Sequence, residues 1–113
     1  MRADGASSIE SFLEWLRENV HEPLTLAELA RHEHMSERSL VRKFRAATGM
    51  SVFDWIAKER VNRAKILLET SDFAVSEVAT MAGFGSAETL RGNFERAVGT
   101  TAGAYRRTLK HAG

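Results

Sequence analysis

The apolar and polar positions of this chain follow one pattern that occurs twice, about fifty residues apart. At an offset of fifty, the matching pairs are Ser36 and Ser86, Leu40 and Leu90, Phe44 and Phe94, Gly49 and Gly99, Ser51 and Thr101, and Trp55 and Tyr105. At an offset of forty-nine, they are Leu26 and Val75, Leu29 and Val78, and Ala30 and Ala79. Each copy has a short apolar segment, a turn and a helix that begins at a serine. This pattern predicts two helix-turn-helix units.

The first copy contains the residues that begin and orient both of its helices. Thr25 and Glu28 have the spacing of a capping box, so a helix is predicted to begin at this threonine. Ser36 is the predicted N-cap of the second helix. Leu40 and Phe44 lie one turn apart in that helix and are predicted to face the core. The other side carries more cations than an ordinary solvated face of this length.

The second copy departs from the first at its cap, its turn and its last helix. Ala74 replaces Thr25 and removes the N-cap oxygen, a loss that typically costs ~1 kcal/mol, and Asp72 or Ser76 is expected to compensate. Gly83 is predicted to adopt a positive φ. His34 holds the equivalent place in the first copy, which predicts a strained or differently shaped turn there. Gly92 interrupts the last helix, at a cost of ~1 kcal/mol relative to alanine.

Three further helices complete the prediction. They are predicted over residues 7–20, 51–69 and 102–110. Ser7 begins the capping sequence of the first, which ends before Pro23, and Ser51 caps the second. The chain is therefore predicted to be all-α, with seven helices forming two helix-turn-helix subdomains joined by a long linker helix. The predicted subdomains cover residues 1–50 and 70–113, and the linker helix covers residues 51–69.

The composition favours a small helical domain of the cytoplasm. The 113 residues are 43% hydrophobic, enough for an adequate core, and include one proline. The sequence has no cysteine, no apolar run of membrane-spanning length and no signal peptide. These absences predict a cytoplasmic protein without disulfides or membrane contact.

The net charge of +1 is unevenly distributed along the chain. Residues 1–35 hold three basic and seven acidic residues, a net charge of −4, whereas residues 36–65 hold eight and three, a net charge of +5. Residues 66–113 hold five of each. A local positive field of this kind attracts a polyanion such as DNA even when the net charge is small.

Other chemical features have simpler interpretations. His32, Glu33 and His34 include two histidines but no clear third metal ligand, so a solvated turn is favoured over a metal site. Glu10, Glu14 and Glu18, at four-residue spacing, are interpreted as one exposed helix face. Trp15 and Trp55 are predicted to pack in or beside the core. No nucleophile with a base and no phosphate-binding loop occurs, so no cofactor and no enzymatic activity are predicted.

Four segments carry a resemblance to a known family: residues 23–30, 35–44, 60–68 and 78–84. With them, the chain resembles the DNA-binding domain of the AraC/XylS transcription regulators from about Ile9 to Arg107. Residues 14–16 and 83–91 are similar to a subgroup that has an N-terminal sensor related to class-I glutamine amidotransferases. The resemblance implies an upstream sensor or oligomerisation domain in the natural protein.

The resemblance implies binding of double-stranded DNA, with the second helix of each copy in successive major grooves. Because grooves on one face of DNA are about 34 Å apart, two modules on one rigid helix fit the same picture. Mapped onto this sequence, the base-contacting candidates are Arg38, Val41, Arg42, Glu88, Thr89, Arg91 and Gly92. Arginine reads guanine, glutamate accepts from cytosine, and valine or threonine can contact a thymine methyl group. Many relatives have arginine where Gly92 stands, so Arg91 is expected to reach in its place.

A second set of polar residues is predicted to contact the DNA backbone. It comprises Thr25, Ser39, Lys43, Arg45, Arg60, Ser86, Asn93 and Arg96. For Arg60, and equally for Arg63, an intramolecular pair remains an alternative to a phosphate contact. The leading hypothesis is a sequence-specific transcription regulator that also contacts RNA polymerase. The alternative is a helical interaction module that holds RNA polymerase or its own sensor domain.

Overall fold

The computed structural model describes residues 5–112, with side chains from residue 9 to residue 109. Over these residues the fold is all-α, with seven helices and no strand. The helices are α1 (Gly5–Asn19), α2 (Leu26–His32), α3 (Glu37–Thr48), α4 (Val52–Thr70), α5 (Val75–Ala82), α6 (Ala87–Val98) and α7 (Ala102–Ala112). The predicted fold class is confirmed. The predicted start of the first helix is wrong, because α1 begins at Gly5 and Ser7 lies inside its first turn.

The first compact unit extends to Ile56 and is built from α1, α2, α3 and the start of α4. Its buried residues are Phe12, Leu16, Val20, Leu29, Ala30, Leu40, Phe44, Val52, Trp55 and Ile56. Phe44 lies at the centre, in edge contact with Phe12 at 6.0 Å and with Trp55 at 6.1 Å between ring centroids. Trp15 packs at the border of this cluster. The prediction that both tryptophans pack against the core is confirmed.

The second compact unit begins at Ala57, so compactness divides the chain within α4. Its buried residues are Val61, Ala64, Leu68, Val78, Ala79, Ala82, Phe84, Leu90, Phe94 and Ala102. Phe94 makes an edge contact with Tyr105 at 5.4 Å between ring centroids. None of the helices over residues 5–112 is long and apolar enough to cross a membrane.

Side-chain oxygens begin the helices where the sequence places them. Thr25 Oγ1 accepts from Glu28 N at 3.2 Å, and Glu28 Oε1 accepts from Thr25 N at 3.0 Å, which completes the predicted capping box of α2. Ser36 Oγ accepts from Ser39 N and Ser51 Oγ accepts from Asp54 N, both at 3.1 Å, so these serines cap α3 and α4. These caps fix the first residue of each helix and hence the direction in which its later side chains point.

The cap of α5 is only half formed. Ala74 has no side-chain acceptor, but its backbone N–H donates to Glu77 Oε1 at 2.9 Å. This bond is the second half of a capping box, and it comes from a residue that the sequence analysis did not consider. Because alanine has no side-chain oxygen, residue 74 offers no side-chain acceptor to the backbone N–H groups in the first turn of α5.

Ala74→Thr is expected to stabilise the second unit by about 1 kcal/mol, because it supplies the missing N-cap oxygen opposite a Glu77 already in place. The backbone at position 74 is extended, at φ −60° and ψ 152°, as an N-cap requires. Thermal unfolding followed by circular dichroism measures the gain. Thr25→Ala, which removes the corresponding N-cap oxygen of α2, is the control and should destabilise the first unit by a similar amount. An unchanged melting temperature for Ala74→Thr would contradict the interpretation.

The turns of the two units close with the same hydrogen bond. Met35 N donates to Ala30 O at 3.0 Å, and Phe84 N donates to Ala79 O at 2.9 Å. Gly83 has a φ of 102° and His34 a φ of 57°, so both residues adopt left-handed conformations. A non-glycine residue there costs on the order of 1 kcal/mol. The sequence predicted either a strained or a differently shaped turn at His34. The turn has the same closing hydrogen bond as its counterpart and a left-handed non-glycine residue, so it is the strained alternative.

Helix α7 is fastened to the end of α4 and the segment after it. Arg106 Nε donates to Leu68 O at 3.2 Å, and its Nη1 donates to Phe73 O at 2.6 Å. The Tyr105 hydroxyl donates to Glu69, and this hydrogen bond, followed by partial burial, raises the pKa of Tyr105. These hydrogen bonds hold α7 against the end of α4, and Tyr105 of α7 also contacts Phe94 of α6.

Candidate nucleic-acid interface

The packing of α3 fixes which of its residues face outward. Leu40 and Phe44 are buried in the core of the first unit. At about 100° per residue, Arg42 lies about 200° around the helix from Leu40, directly away from the core. Arg38 and Arg45, one turn before and one turn after it, fall on the same side. The outer face of α3 is therefore a stripe of three arginines.

These arginines are exposed and carry no internal partner. In the described part of the chain, Arg38, Arg42 and Arg45 form no hydrogen bond or ion pair. Helix α3 holds four basic residues and one acidic residue, a net charge of +3. Guanidinium groups that are free in the protein can meet phosphate or the edge of guanine.

An apolar patch lies beside the stripe. Val41 is 41% exposed although it is a large aliphatic residue. A shallow depression of about 470 Å³ next to it is lined by Leu26, Glu37, Arg38, Val41 and Arg42. An exposed valine between two arginines fits contact with a thymine methyl group beside a base pair read by arginine. The structure thus brings together the three base-contacting candidates of the first unit.

The backbone-contacting candidates of the first unit occupy its periphery. Lys43 is exposed and Ser39 is half-buried, and both lie on the flank of α3 opposite to Val41. Thr25 stands at the start of α2, where its hydroxyl also donates to Glu28 Oε1 at 3.1 Å. Since this hydroxyl is already used in the capping box, a phosphate at this position would meet backbone N–H groups of α2 rather than the threonine side chain.

Helix α6 repeats the packing of α3 with a different outer face. Leu90 and Phe94 are buried, so Gly92 and Glu88 face away from the core. Arg91 is exposed but lies to one side, at the place that Val41 occupies in α3. The helix holds two basic and two acidic residues and has no net charge. Its outer face is therefore less positively charged than that of α3.

The polar residues of α6 are joined by hydrogen bonds. Ser86 Oγ accepts from Thr89 N at 3.1 Å and also bonds the Thr89 hydroxyl. Asn93 Nδ2 donates to Thr89 O at 2.9 Å, and Arg96 Nη2 donates to Asn93 Oδ1 at 3.2 Å. The sequence analysis assigned Ser86, Asn93 and Arg96 to phosphates one by one and missed that they form a chain along the helix.

Arg63 and His32 make contacts within the protein, and Arg60 is partly desolvated. Arg63 Nε donates to Met81 O at 3.2 Å, so the intramolecular alternative holds for this residue. Arg60 is half-buried, and desolvation lowers the pKa of its guanidinium. His32 stacks on Trp15 at 3.9 Å between ring centroids and bonds Glu33 at 2.8 Å. Over the residues with described side chains, no three potential metal ligands come together.

Comparison with known proteins identifies the family. Residues 29–108 match the family described as "Helix-turn-helix domain". The DNA-binding domain of the global transcriptional factor AdpA, solved in complex with a target DNA, is 38% identical. Its TM-score is 0.89, and the match covers 93% of this chain and 95% of that one. The chain belongs to the AraC-type helix-turn-helix family.

Curated proteins similar to this AraC-type chain differ in length. The uncharacterized HTH-type transcriptional regulator YfiF of Bacillus subtilis (strain 168) is 32% identical over 95 residues, which are 84% of this chain and 30% of YfiF. The regulatory protein SoxS of Salmonella typhimurium (strain LT2) is 28% identical over 101 residues, 89% of this chain and 94% of SoxS. The chain thus spans under a third of YfiF and nearly all of SoxS. These relatives are named as regulators, not as enzymes.

Proposed function

We propose that this domain binds double-stranded DNA at specific sequences and thereby regulates transcription. The observation that carries the proposal is the outer face of α3, where Arg38, Arg42 and Arg45 are exposed and unpaired on a rigid, well-capped helix. The likeness to the AdpA domain, which was solved with its target DNA, supports it. Such a regulator acts where the DNA is, in the cytoplasm.

Each unit places its second helix in a major groove and reads one half of the site. In α3, Arg38, Val41 and Arg42 contact bases, and in α6 the outer face does so. Thr25, Ser39, Lys43, Arg45, Arg60 and Ser86 lie along the phosphates. The half-sites lie about one helical turn apart, as for other tandem helix-turn-helix units. Inserting about five base pairs between the halves, half a turn of DNA, tests this spacing by moving one half to the opposite side of the duplex.

Lys43→Gln is expected to weaken binding to all duplexes alike and to lower the slope of log affinity against log salt by about one unit, because one phosphate contact is lost. Fluorescence anisotropy at several salt concentrations, on a selected and on an unrelated duplex, measures both effects. Arg107→Gln, which removes an exposed cation of α7, is the control and should leave the slope unchanged. An unchanged slope for Lys43→Gln would remove Lys43 from the phosphate contacts.

We also propose that the natural protein has an N-terminal sensor domain of the amidotransferase-like kind. Two observations support this domain: the resemblance at residues 14–16 and 83–91, and the fact that the chain spans only 30% of YfiF. An antibody against this chain should then detect a protein much longer than 113 residues in cells that express the natural gene. A band of the size of SoxS would contradict it. RNA polymerase is the partner through which a bound regulator would act on transcription.

A further inference from the structure

Helices α3 and α6 carry an arginine and a small residue at two corresponding positions, but in the opposite order. At an offset of fifty, Gly92 of α6 corresponds to Arg42 of α3, and Arg96 corresponds to Ala46. Arg42 is the residue of α3 that points most directly away from the core. In α6 the same place has no side chain, and an arginine stands one helical turn later.

The guanidinium of Arg96 lies next to Gly92 on the outer face of α6. Its Nη1 lies 3.7 Å from the position that a Cβ of residue 92 would take, in ordinary van der Waals contact, and no other tertiary atom comes within 4 Å of that position. Helical side chains lean towards the N-terminus, so an arginine at i+4 naturally covers residue i. A side chain longer than Cβ at residue 92 would meet this guanidinium, whereas glycine leaves it exposed on the outer face of α6.

Hydrogen bonds hold the arginine in this place. Arg96 Nη2 donates to Asn93 Oδ1, and Asn93 is itself fastened through its Nδ2 to Thr89 O on the preceding turn. Among the residues with described side chains, neither Glu88 nor Glu95 forms an ion pair with Arg96, so its charge is not neutralised. A guanidinium has five N–H donors, and most of them remain available.

We propose that Arg96 is the base-reading residue of α6 and delivers its guanidinium, across Gly92, to the place that Arg42 holds in α3. Its ligand is the major-groove edge of guanine, with O6 and N7 as acceptors. Asn93 is the positioning residue. The proposal rests on the proposed function and differs from the sequence prediction, in which Arg91 takes over. Arg91 is about 100° around the helix from Gly92, whereas the guanidinium of Arg96 lies over it.

Helix α7 offers a matched control. Arg107 Nη1 lies 3.6 Å from the Cβ position of Gly103, so an arginine covers a glycine four residues earlier there too. This pair has the same local geometry, but it lies outside the recognition helices. Removing Arg107 therefore reproduces the change in charge and in helix surface without touching the reading face of α6.

The test begins with a duplex that the wild-type chain selects from a random-sequence pool. Anisotropy titrations then compare Arg96→Ala, Arg91→Ala, Arg107→Ala and the exchange Gly92→Arg/Arg96→Ala on this duplex and on duplexes with single base-pair changes. We expect Arg96→Ala to weaken binding to the selected duplex about tenfold or more and to remove the preference for guanine at one base pair, because a bidentate contact is lost. The exchange should restore that preference, since it recreates the Arg42 and Ala46 arrangement.

The outcomes separate the inference from the proposed function. If the wild-type chain prefers no duplex, the proposed function fails. If it does prefer one, but Arg96→Ala weakens all duplexes equally, Arg96 is a phosphate contact and the inference is overturned. Loss of the guanine preference in Arg91→Ala but not in Arg96→Ala also overturns it. Asn93→Ala should blur the preference at the same base pair as Arg96→Ala while its melting temperature stays unchanged, a result that a purely structural role would not give.

Discussion

Replacing both Arg38 and Arg42 by alanine is expected to remove the base preference at the half-site read by α3 and to weaken binding to the selected duplex strongly. Each bidentate contact between arginine and guanine contributes about 1–3 kcal/mol of discrimination, so the double loss amounts to roughly 30-fold or more in affinity for the selected duplex. Both side chains are exposed and outside the core, so the fold should persist. Anisotropy titrations on the selected and on an unrelated duplex measure the effect, with circular dichroism to verify the helices.

The control for this prediction is Arg31→Ala/Arg107→Ala. It removes the same charge from two exposed arginines that lie outside α3 and α6. Loss of general attraction alone weakens all duplexes to a similar small extent and leaves base preference intact. If the α3 double variant behaved like this control, α3 would not be a reading helix. Changing the half-site read by α3 should also cost more affinity than changing the half-site read by α6.

Phe94→Ala is expected to unfold the second unit. Phe94 is fully buried, packs edge-on against Tyr105 and lies in a cluster built by α4, α5, α6 and α7. Truncating such a residue costs about 3–5 kcal/mol through lost burial and the remaining cavity. At about 0.05–0.15 kcal/mol per residue, a unit of this size has little more stability than that. Hydrogen exchange should show loss of protection in α5 to α7.

The same measurement contains its own control. The buried clusters of the two units share no residue over the described chain, so amides of α1 to α3 should remain protected in Phe94→Ala. Phe44→Ala should give the reverse pattern. Loss of protection throughout the chain in either variant would show that the units unfold as one, and it would contradict the prediction.

Most of the helices, and the caps of α2, α3 and α4, were predictable because they depend on residues close in sequence. Thr25 with Glu28, and Ser36 with the backbone three residues later, form local hydrogen bonds whose spacing is visible in the sequence. The outward direction of Arg42 follows from Leu40 and Phe44 by helix periodicity alone. The sequence therefore indicated both the all-α architecture and the exposed face of α3.

The side-chain arrangement on α6 was not predictable in the same way. Arg91 is next to Gly92 in sequence, but adjacent residues diverge by about 100° around a helix, whereas residues four apart lie above one another. Which rotamer Arg96 adopts depends on Asn93 and on the space above Gly92, and neither is visible without coordinates. The stacking of His32 on Trp15 joins separate helices and required the tertiary structure.

Under the proposed function, the unlike outer faces of α3 and α6 give the binding site a direction. One helix has a net charge of +3 and the other none, and their outward residues differ at nearly every position. A chain with two identical readers would bind a repeated site without favouring one half over the other. Here the strong and the weak half-site are distinguishable, so one chain bound to a promoter should point one way along it. Inverting the operator should then exchange the genes on which the regulator acts.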